Sequence, residues 1–259
     1  MIHEAVATYT YDQTLGADFQ VIVSIKGFNQ LAIVQKIIER KGQKSFGLTA
    51  NENASTRRYS TGKLLLTDLD RAGFDETLLT DAPSIDCLEP YHVAIQGQQM
   101  AYTAGPQFTL IDLQSGQTRT FTNEWMAYLH TVDFAADGRH VLTVSTGFDT
   151  IQEIDLHTKQ RGWEWNAWDQ GFTYCSRIQA HFVRNQRQAA HLRQRDPHAR
   201  VTVIDDPALL PREGLSTQET PLNLNGVFYG PQGQLLATAY HRPELFVIER
   251  SGAYQLVDL

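Results

Sequence analysis

The chain has 259 residues, 42% of them apolar and 20% charged, with a net charge of -7. The apolar share supplies an ordinary core and the length admits one or two domains, while the acidic balance excludes a surface that binds nucleic acid throughout and leaves room only for a local basic patch. Two cysteines, Cys87 and Cys175, are too few for a disulfide framework, and without a long apolar run or a leader-like N-terminus a cytoplasmic protein with no membrane or nucleic-acid partner is expected.

In chain order, residues 5–11 read as a first short strand, and 19–25 with 31–38 as a strand pair. By local pattern LAIVQKIIERKGQ would also suit an amphipathic helix ending at Gly42, and only the recurrence of whole units along the chain favours strand. Residues 43–84 hold the polar stretch NENASTRRYSTG and then the apolar run at 64–66. Residues 85–124 contain YHVAI, QMAYTA and FTLIDL, with Gly97, Gly105–Pro106 and Ser115–Gly116 at the turns. Residues 130–158 repeat that plan, with Asp137–Gly138 as the hairpin signal before a β-branched run at 141–145 and a further strand at 151–155.

RGWEWNAWDQGF comes next. Period two puts Trp163 and Trp165 on one strand face, where they either fill the gap to a neighbouring sheet or, with Trp168, offer a platform for stacking a substrate. Residues 181–205 are unusually basic and read as a solvated helix or loop, or, in the repeat register, as a unit whose second strand is QAAHLRQ with Arg193 at its end. Residues 206–220 are an excursion, and 224–259 form a last regular unit.

Strands ending in an acidic residue recur at Asp68, Asp112, Asp155, Asp205 and Glu249, with Gln35 in the matching upstream place, 33 to 50 residues apart. A propeller blade takes roughly 40 to 50 residues. The expected fold is therefore all-β, a single β-propeller domain over residues 1–259 with six blades of four antiparallel strands, or five if residues 43–84 are an embellishment. A terminal strand completing a blade begun by the other terminus would remove the exposed edges.

Aligned, YHVAI, LHTVDF, AHFVRN and LNGVFY place His92, His130, His181 and Asn225 at the start of successive innermost strands. Such strands surround the central channel, so the three imidazoles are expected to converge on one face of it. The turns after the second strands open on the same face and add Phe148, Asp149, Arg193, Tyr240 and His241. His92, His130 and His181 then suit a divalent metal such as zinc or iron with an open position for water or substrate. The catalytic candidates are His130, His181, Arg193, Tyr240 and Asp149, for proton transfer or anion binding. Without a metal, one histidine would act as nucleophile or base while Arg193 or Arg184 holds an anion. The non-chemical alternative is that each repeated histidine hydrogen-bonds the backbone of a neighbouring blade. His140, His157 and His198 fall on turns or outer segments. Phosphate-cradling loops and the HExxH, GxSxG and CxxC patterns do not occur, so no nucleotide cofactor is expected.

With these residues the chain resembles the six-bladed propellers that include NHL-repeat, SMP-30-like and arylsulfotransferase-like proteins. The nearest local likeness is arylsulfotransferase-like: EIDLHTKQRGWEWNAWDQGF, then AHFVRN, shows a similar succession of E-x-D turn, W-x-W strand and inner-strand histidine. That resemblance implies a channel site with histidines and an arginine around an anionic substrate, carried here by His181 and, less closely, by His130 and Arg193. The acidic and asparagine metal ligands of the lactonase-like pattern are missing at the matching turns. Three functions are open: metal-assisted hydrolysis or elimination of a small molecule, metal-free group transfer through a channel histidine, or a platform for a protein partner on the top face. The platform would expose Trp168 and Phe172 around an inert channel.

Overall fold

The computed structural model describes residues 20–26, 61–68, 84–88, 90–207, 215 and 219–258. The expected strands at 5–11 and 31–38 lie outside the described residues. Three regular sheets each follow an up-and-down order of four antiparallel strands. The first comprises β4 (Pro90–Gln96), β5 (Gln99–Ala104), β6 (Gln107–Asp112) and β7 (Thr118–Phe121). The next comprises β8 (Leu129–Phe134), β9 (His140–Ser145), β10 (Thr150–Asp155) and β11 (Arg161–Asn166). The last comprises β15 (Leu224–Tyr229), β16 (Leu235–Ala239), β17 (Arg242–Ile248) and β18 (Tyr254–Val257).

These sheets stack as the blades of a β-propeller, innermost strand against innermost strand, β4 on β8 and β8 on β15. Ahead of them, β1 (Gln20–Lys26), β2 (Thr61–Asp68) and β3 (Ser84–Leu88) form a three-stranded antiparallel sheet whose β1 lies against β4. The two upstream units expected from the sequence thus share one sheet here, because β1 pairs directly with β2, from Gln20 opposite Asp68 to Lys26 opposite Gly62.

The core lies between the blades. Alternation along β5 sends Met100, Tyr102 and Ala104 towards Leu64 and Cys87 on one side, and Ala101 towards Val132 and Phe134 on the other. In β9, Val141 faces back while Leu142 and Val144 face forward to Leu224, Val227 and Phe246. Both faces of the β4–β7 and β8–β11 blades are covered, which is why every residue from Met100 to Ala104 and from Val141 to Ser145 is buried. A fully buried side chain of this kind contributes about 1.5–3 kcal/mol.

In two of the regular blades the recurrent acidic residue closes the hairpin after the third strand, whereas Asp68 ends the second strand of its sheet and Asp205 follows the parallel strand Val201–Val203. The Oδ1 atom of Asp112 accepts the Gln114 and Ser115 N–H groups at 3.1 and 2.7 Å, and that of Asp155 accepts from His157 and Thr158 at 2.8 and 3.1 Å. The tryptophan pair fills a gap between blades. Trp165 is buried and donates Nε1–H to the Gly252 carbonyl, and Trp163 donates to that of Arg250, both in the last blade's outer turn.

Residues 174–203 depart from the expected blade. Strands β12 (Tyr174–Cys175), β13 (Ala180–Val183) and β14 (Val201–Val203) form a small sheet in which β13 and β14 are parallel, joined by helix α1 (Gln186–Arg195). A parallel pair needs a long crossover, and the local chemistry supplies a helix there. Asn185 caps it by accepting the Gln188 N–H at 2.9 Å, Gln188 reaches back to the Arg184 N–H, and strong helix formers continue it. QAAHLRQ is therefore helix, as the solvated-helix reading had it, and not the second strand of a blade. This unit is spliced into the chain while the last blade docks directly on the β8–β11 blade.

Candidate functional site

The same irregularity opens each of three neighbouring innermost strands. The pairing of β4 with β5 shifts register between Pro90 and Val93, that of β8 with β9 between Leu129 and Val132, and that of β15 with β16 between Leu224 and Gly226. One extra residue is thus accommodated at the start of each strand, a bulge that re-aims side chains. The residues at these bulges are Tyr91–His92, His130–Thr131 and Asn225. Gly226 keeps the third one tight, since a Cβ there would sit 2.6 Å from Thr238 Oγ1.

Three of the five non-glycine residues with positive φ among the described residues stand at the same end of the blades. Tyr128 and Asn223, each directly before an innermost strand, have φ of 50° and 54°, and Asp149 in the facing turn has φ of 47°. Left-handed geometry in residues with a Cβ costs of order 1–3 kcal/mol each and clusters where a fold holds side chains for a purpose.

Side chains also bridge from one innermost strand to the next. His92 Nδ1 accepts the Val132 N–H at 3.4 Å, Thr131 Oγ1 accepts that of Val227 at 3.1 Å, and Asp133 Oδ2 accepts that of Tyr229 at 3.0 Å. The last two share an offset of 96 residues, which carries Asn225 to the level of Leu129, next to His130. His130 stacks on Tyr91 with ring centroids 4.9 Å apart, and His92 meets Phe228 edge-on at 6.0 Å. Asn225 Oδ1 is buried without a hydrogen-bond partner. Burial lowers the His92 pKa below its ordinary value, against the opposing pull of Asp133. An N–H donated to Nδ1 needs that nitrogen bare, so the neutral ring carries its proton on Nε2. His92 thus makes the backbone bond that the non-chemical alternative describes.

The other candidates lie elsewhere. His181 sits on β13 in the inserted sheet, with Nδ1 2.9 Å from Thr173 Oγ1 and its ring 5.0 Å from that of Tyr174. Its pKa is lowered by burial, partly offset by Asp196. It does not start an innermost strand. Among the described residues no three His, Cys, Asp or Glu side chains gather so as to hold a metal ion, and His92, His130 and His181 all lie within the described set. Arg193 stands on the last turn of α1, exposed, with Nη2 3.4 Å from the Val201 carbonyl. Tyr240 is 74% exposed in the β16–β17 turn, edge-on to His241.

Asp149 is fully buried. Its Oδ2 accepts the Leu222 N–H at 2.9 Å and its Oδ1 that of Leu224 at 3.0 Å, while Thr146 Oγ1 donates to the Leu224 carbonyl. The turn of one blade thereby clasps the start of the next innermost strand, and the carboxylate has no access to a ligand. Burial pushes its pKa up to about 6 despite those bonds. Trp168 is 1% exposed and Phe172 half-buried against Phe246 and Tyr254, so the exposed aromatic pair expected of a docking platform is absent.

Two further polar clusters were not foreseen. Glu153 takes bonds from Tyr229 Oη at 2.6 Å and Arg250 Nη2 at 2.5 Å, joining the last two blades. Burial raises the Tyr229 hydroxyl pKa, reinforced by Glu153; burial would raise Glu153 too, but the Arg250 and Tyr229 bonds outweigh it. Arg184 pairs with Glu164 and with Asp169 at 3.1 Å and lies 4.2 Å over the Trp125 ring, pinning the inserted unit to its blade. On the opposite face of the last blade, Gln232, Gln234, Glu249, Arg250 and Tyr254 line a groove of about 440 Å³ that contains none of the expected site residues.

No protein-family model matches the chain, and no curated protein does. Among solved structures it is similar to virginiamycin B lyase from Staphylococcus aureus, at 13% identity over 66% of this chain and 41% of that one with a TM-score of 0.40. It is similar to a streptogramin B lyase at 10% identity, over 76% of this chain and 48% of that one, with a TM-score of 0.42. A third is hydrazine synthase from Kuenenia stuttgartiensis, at 12% identity over 65% and 34% of the two chains with a TM-score of 0.37. The chain spans less than half the length of each of these three. Likeness at this level decides nothing about chemistry. Among the described residues no helix is long and apolar enough to cross a membrane.

Proposed function

We propose that the chain binds a small polar molecule at the bulged starts of its innermost strands, with His92, His130 and Asn225 as the recognising groups and no metal in that contact. The observation that carries the reading is Asn225 at the bulge of β15: its Oδ1 is buried with no hydrogen-bond partner. An unmet buried acceptor costs about 1–3 kcal/mol, which a ligand donor would recover. The neighbouring groups suit the same ligand. His92 offers Nε2–H, the His130–Tyr91 stack gives an aromatic wall, and the left-handed Tyr128 and Asn223 fix the strand starts.

Among the described residues, metal-assisted hydrolysis or elimination finds no third ligand beside His92 and His130, since His181 is held in the inserted sheet. Group transfer of the arylsulfotransferase-like kind needs its arginine beside the histidine, whereas Arg193 on α1 turns to the Val201 carbonyl and Arg184 is paired with Glu164 and Asp169. Binding is thus the function supported, and the resemblance to arylsulfotransferase-like proteins rests on the EIDLHTKQRGWEWNAWDQGF stretch alone.

A thermal-shift screen of small polar compounds on the whole chain, repeated on Asn225→Leu and His130→Ala, tests the reading. The expected result is a set of compounds that raise the Tm of the parent and of neither variant. Compounds whose effect survives both substitutions, or a screen in which nothing shifts the parent, would overturn it.

A further inference from the structure

The inserted unit carries charge of the opposite sign to the rest of the chain. Residues 177–200 contain six arginines, no lysine and one acidic residue, Asp196, a net +5 within a chain of -7, so the remainder carries -12. One of the six, Arg184, is consumed by Glu164 and Asp169 in holding the unit on its blade. The other five, Arg177, Arg187, Arg193, Arg195 and Arg200, are exposed.

Arg187, His191 and Arg195, each four residues from the next, line one exposed side of α1. Helix α1 packs on β13 and β14 through buried Ala189 and half-buried Leu192, which leaves Arg187 and His191 outward. Beside the helix, Tyr174 on β12, His181 on β13 and Val201 on β14 are cross-strand neighbours, with Arg200 next to Val201 and Arg193 reaching back to the Val201 carbonyl. Tyr174 is 51% exposed, its ring tilted against that of His181. Exposed tyrosine and arginine on a rigid support are the residue types that carry binding energy at protein interfaces.

We propose that this face docks a short acidic segment of a partner protein, whose carboxylates pair with the arginine forks. Arginine rather than lysine suits two-point recognition of a planar carboxylate. The dimensions choose the occupant. Ten helical residues span about 15 Å, the reach of four or five extended residues at about 3.3 Å each. A longer polyanion such as a nucleic-acid strand would run off the patch onto the acidic body, beyond the screening length of about 8 Å at physiological salt. Lipid insertion has no apolar helix face to use, because Ala189 and Leu192 are turned to the sheet.

Fluorescence anisotropy of labelled octaglutamate on the whole chain tests this, with labelled dT8 as comparator. Octaglutamate is expected to bind in 50 mM NaCl more tightly than dT8 and at least tenfold more weakly in 300 mM. The double variant Arg187→Glu/Arg195→Glu is expected to lose at least tenfold while keeping its Tm. The pair Arg187→Lys/Arg195→Lys is expected to lose several-fold although its charge is unchanged. No binding in 50 mM NaCl, dT8 binding as tightly as octaglutamate, or affinity unaltered by charge reversal would each overturn the proposal.

Discussion

Asp149→Asn separates two effects that meet in one buried carboxylate. The folded carboxyl keeps its proton up to about pH 6, whereas an ordinary aspartate loses it near 3.8. Between those values the folded state binds more protons than the unfolded state, so stability falls as pH rises through the window, by about 3 kcal/mol in all. About 2 kcal/mol of that lies between pH 4.5 and 7.5. Asparagine has no proton to lose and contributes no such slope. It also turns an amide nitrogen towards one of the two N–H donors, Leu222 or Leu224, leaving a buried donor unmet at a cost of about 1–3 kcal/mol that does not depend on pH. Urea unfolding of both proteins at pH 4.5, 5.5, 6.5 and 7.5 reads the two together. The parent should exceed the variant most at the acid end, with the gap shrinking by about 2 kcal/mol towards pH 7.5. A gap that is the same at all four pH values would refute the reasoning.

Three further outcomes are expected from the polar contacts. His92, its pKa lowered by burial, stays neutral in the folded protein where the unfolded ring protonates; its contribution is whole above the unfolded value of 6.5 and is lost as pH falls towards the lower folded value. His92→Gln should flatten the acid side of the stability profile below pH 6.5, and an unchanged profile counts against the burial assigned to that ring. Tyr229→Phe removes the 2.6 Å bond to Glu153 and should cost about 1–2 kcal/mol in urea unfolding, shrinking towards zero when Arg250→Met is already present if the three groups act as one network. Arg184→Met should speed amide exchange in α1 while the β8–β11 blade keeps its protection, and equal loosening of both would show that the inserted unit is not pinned by that residue.

The blades were legible because their signals are local. Asp137–Gly138, Ser115–Gly116 and the acidic residues Asp112 and Asp155 set hairpins, and the unbroken runs Met100 to Ala104 and Val141 to Val144 mark strands covered on both faces. The alignment of His92, His130 and Asn225 holds for the same reason, since all three stand at one bulge of one repeated strand. His181 fell into line only because AHFVRN copies the sequence of an innermost strand. The residues just beyond that strand decide the structure: Asn185 and Gln188 cap a helix, which is the solvated-helix reading of this basic stretch and not its repeat-register one. The burial of Asp149 was not readable, because its partners, Leu222 and Leu224, lie more than 70 residues away along the chain. The Tyr229–Glu153–Arg250 network joins two blades and has no local signature at all.

The most direct test of ligand binding at the bulged strand starts tracks the histidine ring signals by NMR while the strongest thermal-shift ligand is added. Binding there predicts that the His92 and His130 signals move in step with saturation while those of the exposed His157 and His198 stay fixed. A saturating ligand that leaves His92 and His130 unmoved would contradict it.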